Sequence, residues 1–102
     1  MRRDSPDSNA KELYANLERE GMFVLRTGKT FDGQSGVPDA FVARRGRWHG
    51  LETKRLGGRL RKSQLDLVAR IKGRACYHVA TNSREAVFLF DECDMIKEGL
   101  IP

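Results

Sequence analysis

Apolar positions change their period several times along the chain, and each change marks an element. Leu13 and Leu17 stand four apart, one helical turn, in a stretch that opens with Asn9 and Glu12 at capping-box spacing and stops at Gly21. That predicts a first helix, preceded by a polar, frayed lead-in over residues 1–8. Residues 22–25 form a short apolar run suited to a strand, and residues 27–36, rich in Gly and polar side chains, read as a loop. Phe41, Val42 and Ala43 then lead into Arg44-Arg45-Gly46-Arg47, and residues 48–54 read as the returning strand of a hairpin. After the Gly57-Gly58 break, Leu65, Leu67, Val68 and Ile71 have helical spacings over 64–72, with Gly73 at the stop. Residues 75–80 return as a strand. Asn82 and Glu85 repeat the capping-box spacing before a helix over 86–97, within which Val87 to Phe90 also fits a strand. Helices before, between and after strands predict an α/β fold, a mixed β-sheet flanked by helices, with the hairpin as its antiparallel part.

Composition narrows the class. The 102 residues suit one small domain, and 39% hydrophobic with 32% charged residues reads as globular. No apolar run reaches the length of a membrane span, and residues 1–8 lack the apolar stretch of a secretory signal, so no membrane partner and a cytoplasmic location are expected. Cys76 and Cys93 are isolated, without metal-site spacing, and are expected to be buried thiols rather than a disulfide or zinc ligands. The net charge of +5 is unevenly spread: residues 44–74 carry 11 Lys/Arg against 2 Asp/Glu, between weakly acidic flanks. Clustering of one sign favours a polyanionic partner, most simply a nucleic-acid backbone.

The candidate chemistry lies where the hairpin meets that basic segment. Pro38-Asp39 is followed by Glu52-Thr53-Lys54. If Arg45-Gly46 is a two-residue turn, Asp39 lies opposite Glu52 with Cβ atoms about 4.5–5.5 Å apart, and Lys54 shares that face. Two carboxylates at that separation can hold a divalent cation through oxygen, and a nearby ammonium can orient a water or offset developing phosphate charge. A register slip of one residue would put Asp39 and Glu52 on opposite faces. Taken singly, a Pro-Asp pair is an ordinary turn and Glu-x-Lys an ordinary solvated edge. His49 faces away from Asp39 in this register and His78 lies in an apolar strand, so neither is read as a general base, and Trp48 is read as a packing residue.

These motifs resemble the virus-type replication-repair nuclease (VRR-NUC) domain of the PD-(D/E)xK nuclease superfamily. The resemblance covers roughly residues 10–90: an opening helix ending in Gly21, the Gly36-Val37-Pro38-Asp39 loop, Leu51-Glu52-Thr53-Lys54, a basic Gly-containing stretch, and Gln64 opening the next helix. It implies a PD-(D/E)xK restriction-endonuclease-like core over residues 9–102, with Asp39, Glu52 and the Thr53 carbonyl as metal ligands, Lys54 as catalytic residue and Gln64 as support. Glu12 is the best match to an acidic residue that the family takes from its first helix, although it also reads as the capping partner of Asn9. One departure is Arg61-Lys62-Ser63, where family members often have Ser-Pro.

The expectation is therefore an Mg²⁺- or Mn²⁺-dependent DNA endonuclease. Arg44, Arg45 and Arg47 at the hairpin tip, and Arg55, Arg59, Arg61 and Lys62 after the site, are candidates for DNA contact. Small free-standing members of the resembled family act as homodimers on branched DNA such as four-way (Holliday) junctions and are common in phages, which makes branched DNA the expected substrate. A site-specific nicking or homing endonuclease, or a non-catalytic nucleic-acid-binding module, are the alternatives.

Overall fold

The computed structural model describes residues 6–28, 36–72 and 74–97. Over these the chain runs α1 (Pro6–Arg19), β1 (Phe23–Arg26), β2 (Ala40–Arg44), β3 (Arg47–Thr53), α2 (Lys62–Ile71), β4 (Cys76–Ala80) and α3 (Ser83–Lys97). The strands form one sheet in the order β1-β2-β3-β4. Its first two pairings are antiparallel and β3–β4 is parallel, because the chain returns through α2 before β4 begins. This is the mixed sheet flanked by helices that the changes of period predict.

The two faces of the sheet are covered unequally, one by α1 and α3 and the other only loosely by α2. Ala10, Leu13, Tyr14 and Leu17 recur along α1 at helical spacing and pack with Ala86 and Phe90 of α3 against Ala40, Val42, Leu51 and Ala80. On the opposite face, Leu67 and Ile71 of α2 line an apolar groove with Pro38, Phe41, Trp48, Gly50 and Tyr77. Trp48 does not pack as fully as expected: it is 53% exposed and meets the equally open Phe23 edge-on at 6.2 Å. Among the described residues, no helix is long and apolar enough to cross a membrane.

Element ends follow local chemistry, with two corrections. α1 stops where Gly21, at φ 94°, lets Met22 N–H reach the Leu17 carbonyl and its own N–H reach that of Glu18. It begins at Pro6, a residue pre-organised for the first helical position, so Asn9 lies inside the helix and is not its cap. Residues 6–8 of the expected lead-in are thus helical, while residues 1–5 lie outside the described residues, as do Gly73 and most of the loop expected over 27–36. Asn82 does cap α3, accepting the Glu85 N–H at 2.8 Å, although Glu85 Oε1 in turn accepts from Thr81 N–H rather than from Asn82.

The second correction concerns the cysteines. Cys76 and Cys93 form a disulfide, with Cα atoms 6.6 Å apart. Packing of α3 on β4 brings them together from positions whose spacing carries no local signal.

Candidate functional site

The hairpin turn sets the site. Arg45 and Gly46 adopt φ of 50° and 78°, the left-handed pair of a two-residue type I′ turn, whose twist matches the strands on either side. The β2–β3 register then runs from Arg44↔Arg47 to Ala40↔Leu51, and one step further puts Asp39 across from Glu52. The two residues interlock: Asp39 N–H donates to Glu52 Oε1 at 3.2 Å, and Thr53 N–H donates to Asp39 Oδ2 at 3.0 Å. Lys54 Nζ lies 3.5 Å from Glu52 Oε2. Because the N–H and C=O of a strand residue point the same way, the Thr53 carbonyl also faces the Asp39 side, while Lys54 N–H turns to the Ala80 carbonyl in β4.

Neighbouring elements lock this arrangement from three directions. Thr27 holds the Pro38-Asp39 loop, its Oγ1 donating to the Pro38 carbonyl at 2.8 Å and its N–H to the Asp39 carbonyl at 2.9 Å. Gly36, at φ 82°, passes so close to α2 that a Cβ there would sit 2.2 Å from the Ser63 carbonyl oxygen. Gln64 is fully buried; its Oε1 accepts the Arg61 N–H at 2.8 Å, capping α2, and its amide hydrogen-bonds Glu52. From α1, Asn9 donates to the Lys54 carbonyl at 3.3 Å and Tyr14 accepts from Thr53 Oγ1 at 3.3 Å.

Charge is stored here. Burial first, and then the Asp39 carboxylate, push the Glu52 carboxyl above its ordinary range, while Gln64 and Lys54 pull it back. Burial and the same two carboxylates also raise the Tyr77 hydroxyl, whose O–H donates to the Gly36 carbonyl at 3.3 Å. A buried and a half-buried carboxylate side by side offer the oxygen ligands that suit a hard divalent cation, since its charge would relieve their repulsion.

The other site candidates separate by position. Arg55, Arg59, Arg61 and Lys62 are exposed on the segment that joins the site to α2, with Lys62 also 3.1 Å from Asp66. The hairpin-tip arginines are roughly 20 Å from Asp39, at about 3.4 Å per strand residue. Arg44, with its side chain 7% exposed, pairs with Asp91 at 2.5 Å and Asp94 at 3.3 Å; Arg47 also pairs with Asp94 at 3.3 Å. The fold itself thus engages the charges of Arg44 and Arg47, and Arg45 is the exposed member of the three. Glu12 is exposed on α1, a turn beyond Asn9; its capping role falls away because Asn9 is mid-helix and turned to Lys54.

His49 and His78 lie on the far face of the sheet from Glu52, toward α3. His49 is fully buried, with Nε2 3.1 Å from Asp94 Oδ1 and Nδ1 3.1 Å from His78 Nε2. Burial, foremost, lowers both imidazoles, His78 to about 4.

Sequence reasoning missed Thr27, Asn9 and Tyr14 as supports, since each reaches the site from a different element and none belongs to a short motif. Comparison of the chain with protein-family models, with curated proteins and with solved structures finds no match.

Proposed function

We propose that this chain is a metal-dependent DNA endonuclease built on a PD-(D/E)xK core, hydrolysing phosphodiester bonds with Mg²⁺ or Mn²⁺. The observation that carries the reading is the interlocked pair Asp39 and Glu52, with Lys54 beside Glu52 and an exposed basic segment following at once. A divalent cation at that pair would polarise the scissile phosphate and help ionise a water. Asp39, Glu52 and the Thr53 carbonyl would hold it, with Glu12 as a further carboxylate from α1. Lys54 orients the attacking water and offsets charge that grows on the phosphate oxygens, an effect largest in the transition state. Gln64 fixes the Glu52 carboxylate by accepting from α2's first turn while donating to it. Arg55, Arg59, Arg61 and Lys62 contact the DNA backbone, joined at a distance by Arg45.

Branched DNA, such as a four-way junction, is the proposed substrate, cut by a homodimer that presents two sites to symmetry-related strands. The exposed pair Phe23 and Trp48 offers apolar surface for such a contact. Light scattering that shows a monomer both free and on DNA would count against the dimer. The decisive experiment is a cleavage panel of linear, nicked, flapped and four-way substrates with Mg²⁺ or Mn²⁺. Asp39→Ala and Lys54→Ala should each lose at least about 100-fold in rate while still binding DNA. Unchanged cleavage by both variants sinks the assignment, and salt-sensitive binding without any cutting would favour a non-catalytic nucleic-acid-binding module.

A further inference from the structure

A second cluster of metal-ligating side chains stands on the opposite face of β3 from Glu52. His49 of β3, Cys76 and His78 of β4, and Cys93 of α3 bring one ligand atom each to within 4.8 Å of one another. The β3–β4 register builds three of the four positions: His49 pairs with Cys76, and Leu51 with His78, so His49, Cys76 and His78 share one face. α3, lying on β4, supplies the fourth ligand. Its Asp94, next to Cys93, reaches the far side of the His49 ring.

We propose that these four residues form a redox-gated zinc site, metal-free when Cys76 and Cys93 are joined and Zn²⁺-binding when a thiol or dithiol reductant has opened the disulfide. In that opening the reductant's sulfurs become the new disulfide; two electrons and two protons convert the S–S bond into two thiols. Zinc then takes both sulfurs as thiolates, and their two protons pass to solvent.

The geometry fits a tetrahedral ion. Zinc–nitrogen bonds of about 2.0–2.1 Å place two imidazole nitrogens roughly 3.3 Å apart. His49 Nδ1 and His78 Nε2 are 3.1 Å apart, close to that spacing. A Cys76–Cys93 Cα separation of 6.6 Å lies at the wide end of what a disulfide spans, so the sulfurs need only part by rotating their side chains to share an ion. With Nδ1 on the metal, His49 Nε2–H donates to Asp94 Oδ1, the carboxylate–histidine support common behind zinc ligands. Two thiolates and two imidazoles select zinc over Mg²⁺ or Mn²⁺, which keeps this site chemically apart from the carboxylate pair. Zinc bound here would clamp α3 to both β3 and β4, whereas the disulfide of the oxidised chain joins α3 to β4.

The test uses the full chain, with Co²⁺ as a spectroscopic probe and Zn²⁺ as its competitor. After reduction by a non-metal-binding phosphine, one equivalent of Co²⁺ should give the visible bands of tetrahedral cobalt–thiolate, and one equivalent of Zn²⁺ should erase them. The oxidised protein should give none. His78→Gln should weaken binding at least about tenfold without unfolding the chain, checked by circular dichroism, and Asp39→Asn should leave the cobalt–thiolate bands as they are in the parent. The proposal is overturned if the reduced, folded protein shows no such bands, if His78→Gln binds unchanged, or if the bands vanish in Asp39→Asn.

Discussion

Asp39 and Glu52 each give one carboxylate oxygen to a backbone N–H at the end of the hairpin, and this holds two like charges together. A raised carboxyl pKa means that the folded state binds a proton more tightly than the unfolded one. Glu52 therefore costs stability as pH rises from the ordinary carboxyl value of 4.5 through its folded value, and the full cost persists above that. Asp39→Asn removes the second cause of that shift while its side-chain oxygen still accepts the Thr53 N–H. In a chelator the variant should melt higher than the parent at pH 7, by roughly 4–8 °C for each kcal/mol relieved, with the gap shrinking toward pH 4. Added Mn²⁺ should then raise the melting temperature of the parent and not that of the variant. A variant that melts lower at pH 7 in chelator would show that the carboxylates are not in net repulsion. Of these residues, Asp39, Glu52 and Lys54 were legible as candidates because the hairpin register relates them, whereas Gln64 entered only through the family resemblance. Thr27 and Asn9 were not, since a hydroxyl or amide that reaches across the fold leaves no trace in local spacing.

The hairpin was legible as an element, yet its turn is chemically imperfect. A type I′ turn requires φ above zero at both central residues, and Arg45 carries a Cβ into that region at φ 50°. The left-handed conformation costs a non-Gly residue about 1–2 kcal/mol, less for Asn, so Arg45→Asn should stabilise the protein by up to about 1 kcal/mol. Chemical denaturation measures this directly; a lowered midpoint would mean that the contact of Arg45 with Asp91 outweighs its backbone strain. Other elements were legible to the extent that their signals are local. The alternation of β2, the capping Asn82 of α3 and the Gly21 stop of α1 all act within a few residues. The start of α1 was misplaced because Asn9 and Glu12 mimic a cap, although Pro6 is the residue suited to that position. The disulfide was illegible for a different reason: Cys76 and Cys93 are 17 residues apart and meet only because α3 lies over β4.

Folding redistributes the charge that the sequence concentrates in residues 44–74. Asp91 and Asp94 of α3 pair with the hairpin-tip arginines, whereas Arg55, Arg59, Arg61 and Lys62 stay exposed on the segment that follows Lys54, and Arg70, Lys72 and Arg74 follow in and after α2. Among the described residues, the exposed basic charge of this segment therefore follows Lys54 in the chain, and at the hairpin tip Arg45 is the exposed arginine. Backbone contacts register as counterion release, with a log–log salt slope of about 0.9 per phosphate neutralised on duplex DNA. Replacing Arg55, Arg59, Arg61 and Lys62 together by Gln should thus reduce the slope by up to about 3–4 and weaken binding similarly on every sequence. Arg44→Gln should act oppositely: it strips one partner from the buried Asp94, lowering the melting temperature by the several degrees expected when a buried charge loses its pair, and leaves the slope in place. Fluorescence anisotropy over a range of salt concentrations, read beside thermal melts of the same two variants, separates the two effects. A slope that falls with Arg44→Gln and not with the quadruple variant would move the DNA path to the hairpin tip and away from Asp39 and Glu52.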